Sequence, residues 1–437
     1  DSQIYASLLL DTGIKSDAAK SLAELNGLVQ KNPADASLHL NLARAYVSLD
    51  ETDKALTEAL EAIREQPKLM FARLLAARIY KDRGEYPKAL EQTDVILASE
   101  PGNPEARLVR CGALIGLNEA DRALPELEAL LHQYPQMNDA RFALASLYLG
   151  KNQPLKASDE FESMWKSNPP DNRGFIGLQI VKLAQGKGDE AVRALQDFVQ
   201  KNPTVPSYRY QLANVEASAG IAAMKSDSRE AKILFQQSAG DYKDILKTTP
   251  KSSDVWLRLG VIQRQLGEYQ PALGSFEQAG STNPHSAEAF LNQAMLLESL
   301  NRMKEATDAY NKVLGIDPEN ALALNNLAFI NAQAGANLDQ AMTFAERAKK
   351  KYPNNPDISD TLGFIYLQKN LNPEAVHMFR QVLQDEPKNA IFRLHLAMAL
   401  LKQGDKQGAR EEAGKALKNT SQPDEQTKIR SFVNQIG

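Results

Sequence analysis

Several features typical of membrane, disulfide-rich or nucleic-acid-binding proteins are scarce in this sequence. Its 437 residues include one cysteine, so no disulfide can form within the chain and the redox compartment is left open. No apolar run approaches the roughly 18 residues that a membrane-spanning helix needs. The 51 Lys and Arg and the 55 Asp and Glu residues are mixed along the chain, whereas nucleic-acid binding favours a clustered basic face. We therefore expect no membrane insertion of this chain and no nucleic-acid partner.

Aromatic residues supply only 7% of the chain, and hydrophobic residues supply 43%. Ala and Leu must then fill most of the buried surface, which favours closely packed helices over sheets. The chain begins Asp1-Ser2-Gln3, without an initiator Met or a basic-then-apolar signal segment. We interpret it as a processed or trimmed product, with any export signal or lipid anchor lying upstream.

Candidate catalytic and metal-binding residues are few, and each has a structural explanation. Gly186-Lys187-Gly188-Asp189 lacks both the preceding strand and the spacing of a phosphate-binding loop. Cys111 stands where Gly or Ala stands elsewhere in the chain, which predicts a packed thiol rather than a nucleophile. The histidines have no metal-ligand spacing and are His39, His132, His285, His377 and His395. We predict no catalytic residue, no metal site and no cofactor.

Prolines recur with an almost constant period, which indicates an internal repeat. One series has a spacing of 34 residues and comprises Pro33, Pro67, Pro101, Pro135, Pro169 and Pro203. After an interval of 47 residues the series continues with Pro250, Pro284, Pro318, Pro353 and Pro387. Proline lacks an N–H group and disfavours helical geometry in the residue before it, so each one should separate two helices.

Three further positions keep the same period when the third residue after each proline is counted as position 1. Position 8 is small in nearly every unit, for example Ala43, Gly260 and Ala397. Position 15 is Gly84, Asn118, Asn152, Gly186, Gly267, Asn301, Gly335, Asn370 and Gly404. Position 20 is Ala55, Ala89, Ala123, Ala157, Ala191, Ala272, Ala306, Ala375 and Ala409, with Ala341 one residue late. Gly and Asn accept the left-handed conformation that ends helices, so each unit should be a helix A, a tight turn and a helix B that packs closely on A.

These positions resemble those that define the tetratricopeptide repeat (TPR) family. The fullest match comprises Trp256, Leu259, Gly260, Ala272, Phe276, Ala279 and Pro284. The resemblance covers essentially the whole chain, with eleven units in phase. It implies an all-α fold, a right-handed α-solenoid (superhelix) of about eleven to twelve helix-turn-helix units.

The repeat phase divides the chain into five segments. Residues 1–35 form an N-terminal TPR-like unit, residues 36–205 five units and residues 253–421 five more. Between them, residues 206–252 hold the longer interval, which predicts an elongated helical hairpin. Residues 422–437 match no repeat and are predicted to form a helix that caps the last apolar face.

The resemblance implies that the A helices line a concave face and that ligands bind there. Positions 2, 5, 6, 9 and 12 of helix A should point inward. Asn and Gln amides can both donate to and accept from an extended peptide, although a solvated polar face is the alternative explanation. The candidate binding residues are Asn41, Arg44, Gln211, Asn214, Arg258, Asn292, Asn326 and His395.

We therefore predict a non-catalytic scaffold that holds protein or peptide partners, with self-association left open. The chain resembles long bacterial TPR proteins, several of which are envelope-associated and accompany secretion or exopolysaccharide export. This resemblance favours the bacterial periplasm or envelope over the cytoplasm. The alternative is the substrate-recruiting TPR arm of a larger enzyme such as a glycosyltransferase.

Overall fold

The computed structural model describes residues 2–11 and 14–436, and every regular element within those residues is an α-helix. The chain forms two compact units, Asp1–Asp197 and Phe198–Gly437. In each unit antiparallel helix pairs follow one another along the chain. The expectation of an all-α helical repeat solenoid is confirmed.

The first unit is built from short helices joined by tight turns, and its last helix continues past the unit boundary. In chain order they are α1 (Ser2–Asp11), α2 (Lys15–Lys31), α3 (Ala36–Ser48), α4 (Thr52–Glu65), α5 (Met70–Asp82), α6 (Tyr86–Ser99), α7 (Pro104–Gly116), α8 (Ala120–Gln133), α9 (Asn138–Gly150), α10 (Pro154–Ser167), α11 (Arg173–Ala184) and α12 (Gly188–Lys201).

The second unit begins with a long hairpin whose helices have 18 and 21 residues, whereas the helices that follow have 13 or 14. Its helices are α13 (Pro206–Ala223), α14 (Ser228–Thr248), α15 (Ser253–Gln265), α16 (Tyr269–Thr282), α17 (Ala287–Ser299), α18 (Met303–Ile316), α19 (Ala321–Gln333), α20 (Leu338–Lys351), α21 (Pro356–Gln368), α22 (Asn372–Asp385), α23 (Ala390–Lys402), α24 (Lys406–Asn419) and α25 (Pro423–Ile436).

The turns between A and B helices lie where the sequence predicts them. All nine Gly and Asn residues at position 15 have positive φ, from 56° at Asn152 to 94° at Gly404, and Asp50 has φ 62° at the same position of its unit. In the long hairpin the residue at this position, Gly220, stays helical and the turn comes after Ala223. The repeat prolines all lie in the turns that precede the A helices.

The core of each repeat is built around the small residue at position 20. All ten alanines predicted there have no exposed surface. In three repeats a phenylalanine of helix B also lies against a glycine of helix A, and one of them is the long hairpin, where Phe235 lies against Gly220. A Cβ atom on Gly260 would lie 2.6 Å from Phe276, and one on Gly363 would lie 2.7 Å from Phe379. Side chains at these contacts must be small because the interior is already close-packed.

A hydrogen-bond pair that the sequence reasoning missed fastens helix A to helix B. In four repeats the side chain at position 4 of helix A bonds the residue 19 further on, and it also reaches the carbonyl of the repeat proline. Arg141 donates to Glu160 at 2.5 Å and to Pro135 O at 2.7 Å. Equivalent pairs are His39–Glu58, Arg73–Gln92 and Arg393–Glu412.

The C-terminal helix α25 packs its apolar side onto the last repeat. Ile429, Phe432 and Ile436 are buried in the same core cluster as residues of α23 and α24. This placement agrees with a helix that covers the final apolar face, which solenoids require at their ends.

Cys111 lies in the core of the first unit with no exposed surface. Burial and then the nearby Glu126 carboxylate raise the pKa of its thiol to about 12. The thiol therefore stays protonated at neutral pH, and a thiolate is the form that acts as nucleophile.

The Gly260–Phe276 contact predicts an effect of opposite sign for two glycines of one repeat. Gly260→Ala should lower the free energy of unfolding by about 1 kcal/mol, because overpacking outweighs the gain in helix propensity. Gly274→Ala is the matched control, since a Cβ atom on Gly274 has no neighbour within 4 Å. It should raise the free energy of unfolding by about 0.5–1 kcal/mol. Urea denaturation followed by circular dichroism measures both; equal shifts for the two variants would contradict the close contact.

Burial of Cys111 predicts that a thiol reagent will reach it only through unfolding. The native protein at neutral pH should react with 5,5′-dithiobis(2-nitrobenzoic acid) far more slowly than the protein in guanidinium chloride, where one thiol per chain should react at once. The absorbance of the released thiolate follows both reactions. Rapid stoichiometric labelling of the native protein would show that Cys111 is accessible.

Candidate functional site

The A-helix positions predicted to face inward line a cavity of about 430 Å³ in the first unit. Its lining residues come from α3 and α5 and are Leu40, Arg44, Phe71, Leu74, Leu75 and Arg78. Phe71 leaves 74% of its surface exposed, so this cavity has an apolar floor open to solvent. The guanidinium of Arg44 donates to Asn41 Oδ1 at 3.4 Å, and Arg78 pairs with Glu105. Both predicted residues of this unit therefore lie at or beside the cavity.

A second cavity, of about 320 Å³, lies in the second unit, and we call it the Arg258 groove. It is lined by the A helices α13, α15 and α17 together with one residue of α14. The lining residues are Asn214, Ala217, Ser218, Ile221, Tyr242, Asp254, Leu257, Arg258, Val261, Ile262 and Glu288. Two of the predicted binding residues, Asn214 and Arg258, thus lie in one groove.

Arg258 is held in place by one residue of its own helix and one residue of the preceding repeat. Its Nε donates to both oxygens of Asp254 at 3.2 Å, and its guanidinium lies over the ring of Tyr210, 5.5 Å from the ring centre. Tyr210 in turn donates its hydroxyl to Asp254 at 2.5 Å. The two Nη groups of Arg258 make no hydrogen bond to any residue that the structure describes, so they are available to a ligand.

Asn214 is fixed by a buried tyrosine. The hydroxyl of Tyr242 donates to Asn214 Oδ1 at 2.6 Å. Burial raises the pKa of Tyr242 above its ordinary value, so the hydroxyl remains a donor at every physiological pH. The amide oxygen of Asn214 is therefore engaged. Its NH₂ group has the hydroxyl of Tyr210 as one partner, and the second N–H of this group is the donor that can face a ligand.

A third cavity, of about 300 Å³, lies among α19, α21, α23 and α25, and we call it the Asp360 pocket. Its lining residues are Asn325, Asn326, Phe329, Asp357, Asp360, Thr361, Asn389, Ile391, Phe392, His395 and Glu425. The predicted residues Asn326 and His395 both line it. His395 is 7% exposed and bonds Asp360 through Nδ1, at 2.8 and 2.9 Å from the two carboxylate oxygens.

The remaining predicted residues do not form a continuous ladder of free amides. Asn326 donates to the hydroxyl of Tyr310 at 2.6 Å, and Asn292 donates to the carbonyl of Glu288 at 3.0 Å. Gln211 is half-buried on α13. Asn292 and Asn326 therefore each use one amide donor for a bond within the protein. Whether the eight residues bind a partner stays a prediction.

Sequence reasoning missed several groove residues at the same inward positions. Phe71, Asp254 and Glu288 occupy position 2 of their repeats, and Arg78 occupies position 9. The repeat register could have selected all four. The register of the A helices could not have selected Tyr242, because this residue lies on the B helix of the long hairpin.

The last turns of α20 carry a basic cluster, Arg347 with Lys349, Lys350 and Lys351, and two of these residues make bonds that stabilise the fold. Arg347 donates to the carbonyl of Pro318 and to the Glu319 carboxylate, both at 2.7 Å, and Lys351 donates to the carbonyl of Glu319 at 3.1 Å. These bonds join the end of α20 to the turn before α19.

Metal sites and membrane-spanning helices are two further features that the described residues can be compared with. Across residues 2–11 and 14–436, no three or more His, Cys, Asp or Glu side chains are grouped so as to hold a metal ion. No helix in the same part of the chain is long and apolar enough to cross a membrane.

The chain is also similar to several solved structures, all at low sequence identity. Yeast Tom70 is 15% identical, with 92% of this chain and 95% of that chain covered and a TM-score of 0.40. The Cut9–Hcn1 hetero-tetramer of the APC/C is 12% identical, with 99% and 96% covered and a TM-score of 0.45. A tetratricopeptide repeat protein from Parabacteroides merdae is 18% identical, with 60% and 96% covered and a TM-score of 0.45. A comparison with curated proteins finds no match.

Family models of the tetratricopeptide repeat match the sequence directly, over more than half of its length. The matched residues are 8–69, 112–172, 254–286, 287–320 and 362–425. These matches agree with the helix pairs, the positive-φ turns and the buried alanines described above. The chain belongs to the tetratricopeptide repeat family, and its repeats support a role as a protein-interaction scaffold.

Proposed function

We propose that this chain is a non-catalytic scaffold that holds an extended peptide segment of a protein partner in the Arg258 groove. The observation that carries the proposal is the convergence of three successive A helices on one groove that has an apolar floor and charged walls. Ile221, Leu257 and Val261 supply the apolar surface, whereas Asp254, Arg258 and Glu288 supply the charges. Such a mixture of apolar surface and a few fixed polar groups is typical of binding sites.

The polar groups of the groove suit a peptide backbone. The free Nη groups of Arg258 can donate to carbonyl oxygens, and the NH₂ group of Asn214 can do the same. Both side chains are already held by neighbouring residues, at Tyr210 and Asp254 for Arg258 and at Tyr242 for Asn214. Preorganised side chains lose little conformational entropy on binding, which favours affinity.

The cellular setting of the scaffold is proposed on the sequence resemblance alone. We propose the bacterial periplasm or envelope as this setting, and the assembly of an envelope, secretion or exopolysaccharide system as the process. The alternative, a recruiting arm of a larger enzyme such as a glycosyltransferase, predicts a catalytic domain elsewhere in the full-length protein. The complete coding sequence decides between the two.

Peptide selection followed by groove variants tests the proposed site. A displayed library of random linear peptides is selected on the wild-type protein, and the affinities of the selected peptides are measured by fluorescence anisotropy. Arg258→Ala removes the groove cation, and Ile221→Ser removes apolar surface from a side chain that is 55% exposed. Each variant should weaken binding about tenfold, as expected for residues near the centre of an interface.

The matched control for the charge change is Lys232→Ala, which removes one cation from the exposed face of α14. It should leave the affinities unchanged, and circular dichroism should show the same helix content in all three variants. Selected peptides that bind wild type, Arg258→Ala and Ile221→Ser equally well would place the binding surface elsewhere.

A further inference from the structure

The Asp360 pocket contains hydrogen-bonding groups that no described residue satisfies. Thr361 is 3% exposed, lines the pocket and has no hydrogen-bond partner for its hydroxyl within the described part of the chain. The amide oxygen of Asn325 is buried and likewise without a partner among the described residues. A buried polar atom such as Asn325 Oδ1 costs about 1–3 kcal/mol of stability when it has no partner. The unpartnered Thr361 hydroxyl lines the same pocket, so the two groups together indicate a site that a ligand completes.

The pocket also has a strongly negative lining. Asp357, Asp360 and Glu425 supply three carboxylates, and His395, already bonded to Asp360, is the single basic residue among the lining residues. Partial desolvation raises the pKa of Asp357, and the carboxylates of Glu386 and Asp360 raise it further. The part of this rise that the neighbouring carboxylates cause, which for each of them is smaller than the effect of desolvation, reflects a negative potential that a bound cation would relieve.

Aromatic rings line the same space. Phe329 and Phe392 belong to the lining, and the ring of Phe329 lies 5.4 Å from Phe364 and 6.4 Å from His395. Rings held by such contacts present fixed surfaces. A planar cation can stack on an aromatic face while its N–H groups, which point outward in the plane of the cation, bond carboxylates at the edge of the stack.

We propose that the Asp360 pocket binds the guanidinium of an arginine side chain from a partner peptide. Asp357 and Glu425 at the pocket accept its charge-assisted hydrogen bonds, and the free oxygens of Asn325 and Thr361 accept further ones. A guanidinium has five donors in a planar fork and no acceptor, which matches a lining of acceptors and aromatic rings. That the arginine belongs to a peptide rests on the proposed function.

An organic cation suits this pocket better than a metal ion. In the described residues no group of three His, Cys, Asp or Glu has the arrangement of metal ligands. The pocket volume of about 300 Å³ also exceeds what a single ion fills and is the size of sites for small organic groups. An ammonium group could bind the same carboxylates, but it would contact the flat faces of the aromatic rings less fully than a guanidinium does.

His395 offers a direct readout, because its ring lies in the pocket lining. The ring resonances of isotope-labelled histidine are recorded by NMR at constant pH, after assignment through substitution of His39, His132, His285 and His377 one at a time. The ligand is an acetylated Gly-Arg-Gly amide, compared with its lysine analogue and with its citrulline analogue, which is neutral and nearly isosteric with arginine.

The arginine peptide should shift the His395 resonance saturably and leave the other four in place. The lysine analogue should bind more weakly, and the citrulline analogue should cause no shift. The double variant Asp357→Asn/Glu425→Gln should raise the Kd about tenfold or more, since it removes both charge-assisted partners. No shift, an equal shift with citrulline, or an unchanged Kd in the double variant would overturn the proposal.

The matched control is Asp308→Asn/Glu346→Gln, which makes the same charge change on exposed residues of α18 and α20. It should leave the Kd unchanged. Failure of this inference is distinguishable from failure of the proposed function. Library peptides that depend on Arg258, together with no effect of the arginine peptide on His395, would reject the arginine site and keep the peptide groove. Library peptides that do not depend on Arg258, together with a saturable shift of the His395 resonance by the arginine peptide, would reject the Arg258 groove and keep the Asp360 pocket.

Discussion

Helix A and helix B of each repeat approach one another at a small residue, and the rest of the structure depends on that approach. The alanines at position 20 have no exposed surface, and at Gly260 even a methyl group would meet the ring of Phe276. Because the two helices touch on this side, the opposite side of helix A is left without a partner from its own repeat. Positions 2, 5, 6, 9 and 12 are therefore free to line a groove with the A helices of adjacent repeats.

Polar contacts then set the details of individual hairpins. In four repeats the position 4 side chain bonds both the B helix and the carbonyl of the repeat proline, as Arg141 does with Glu160 and Pro135. One side chain thereby joins helix A, helix B and the turn between repeats. This charge-assisted contact uses a carbonyl that the turn would otherwise leave to water. The groove residues can vary in chemistry because they carry none of these structural bonds.

The two cavities of the second unit illustrate that variation on one backbone framework. The Arg258 groove pairs a cation that retains free donors with an apolar floor. The Asp360 pocket instead gathers carboxylates, unsatisfied acceptors and aromatic rings. Both are built mainly from A helices, with Tyr242 of α14 added to the Arg258 groove and Glu425 of α25 added to the Asp360 pocket, so the difference lies mainly in which side chains occupy the A-helix positions. A solenoid of this kind can therefore present different chemistry to successive parts of one partner.

The sequence by itself determined the period, the turns and the packing positions, because proline, position 15 and position 20 act through local backbone geometry and through contacts within one hairpin. It also determined which A-helix positions face the grooves. Tertiary structure decided how individual side chains are used. Asn326 bonds Tyr310, and His395 is buried against Asp360, 35 residues away in the chain. Tyr210 likewise reaches Asp254 in the next repeat, 44 residues on. Such pairs depend on how neighbouring repeats stack. The residue spacing within one repeat does not predict which side chains this stacking brings together.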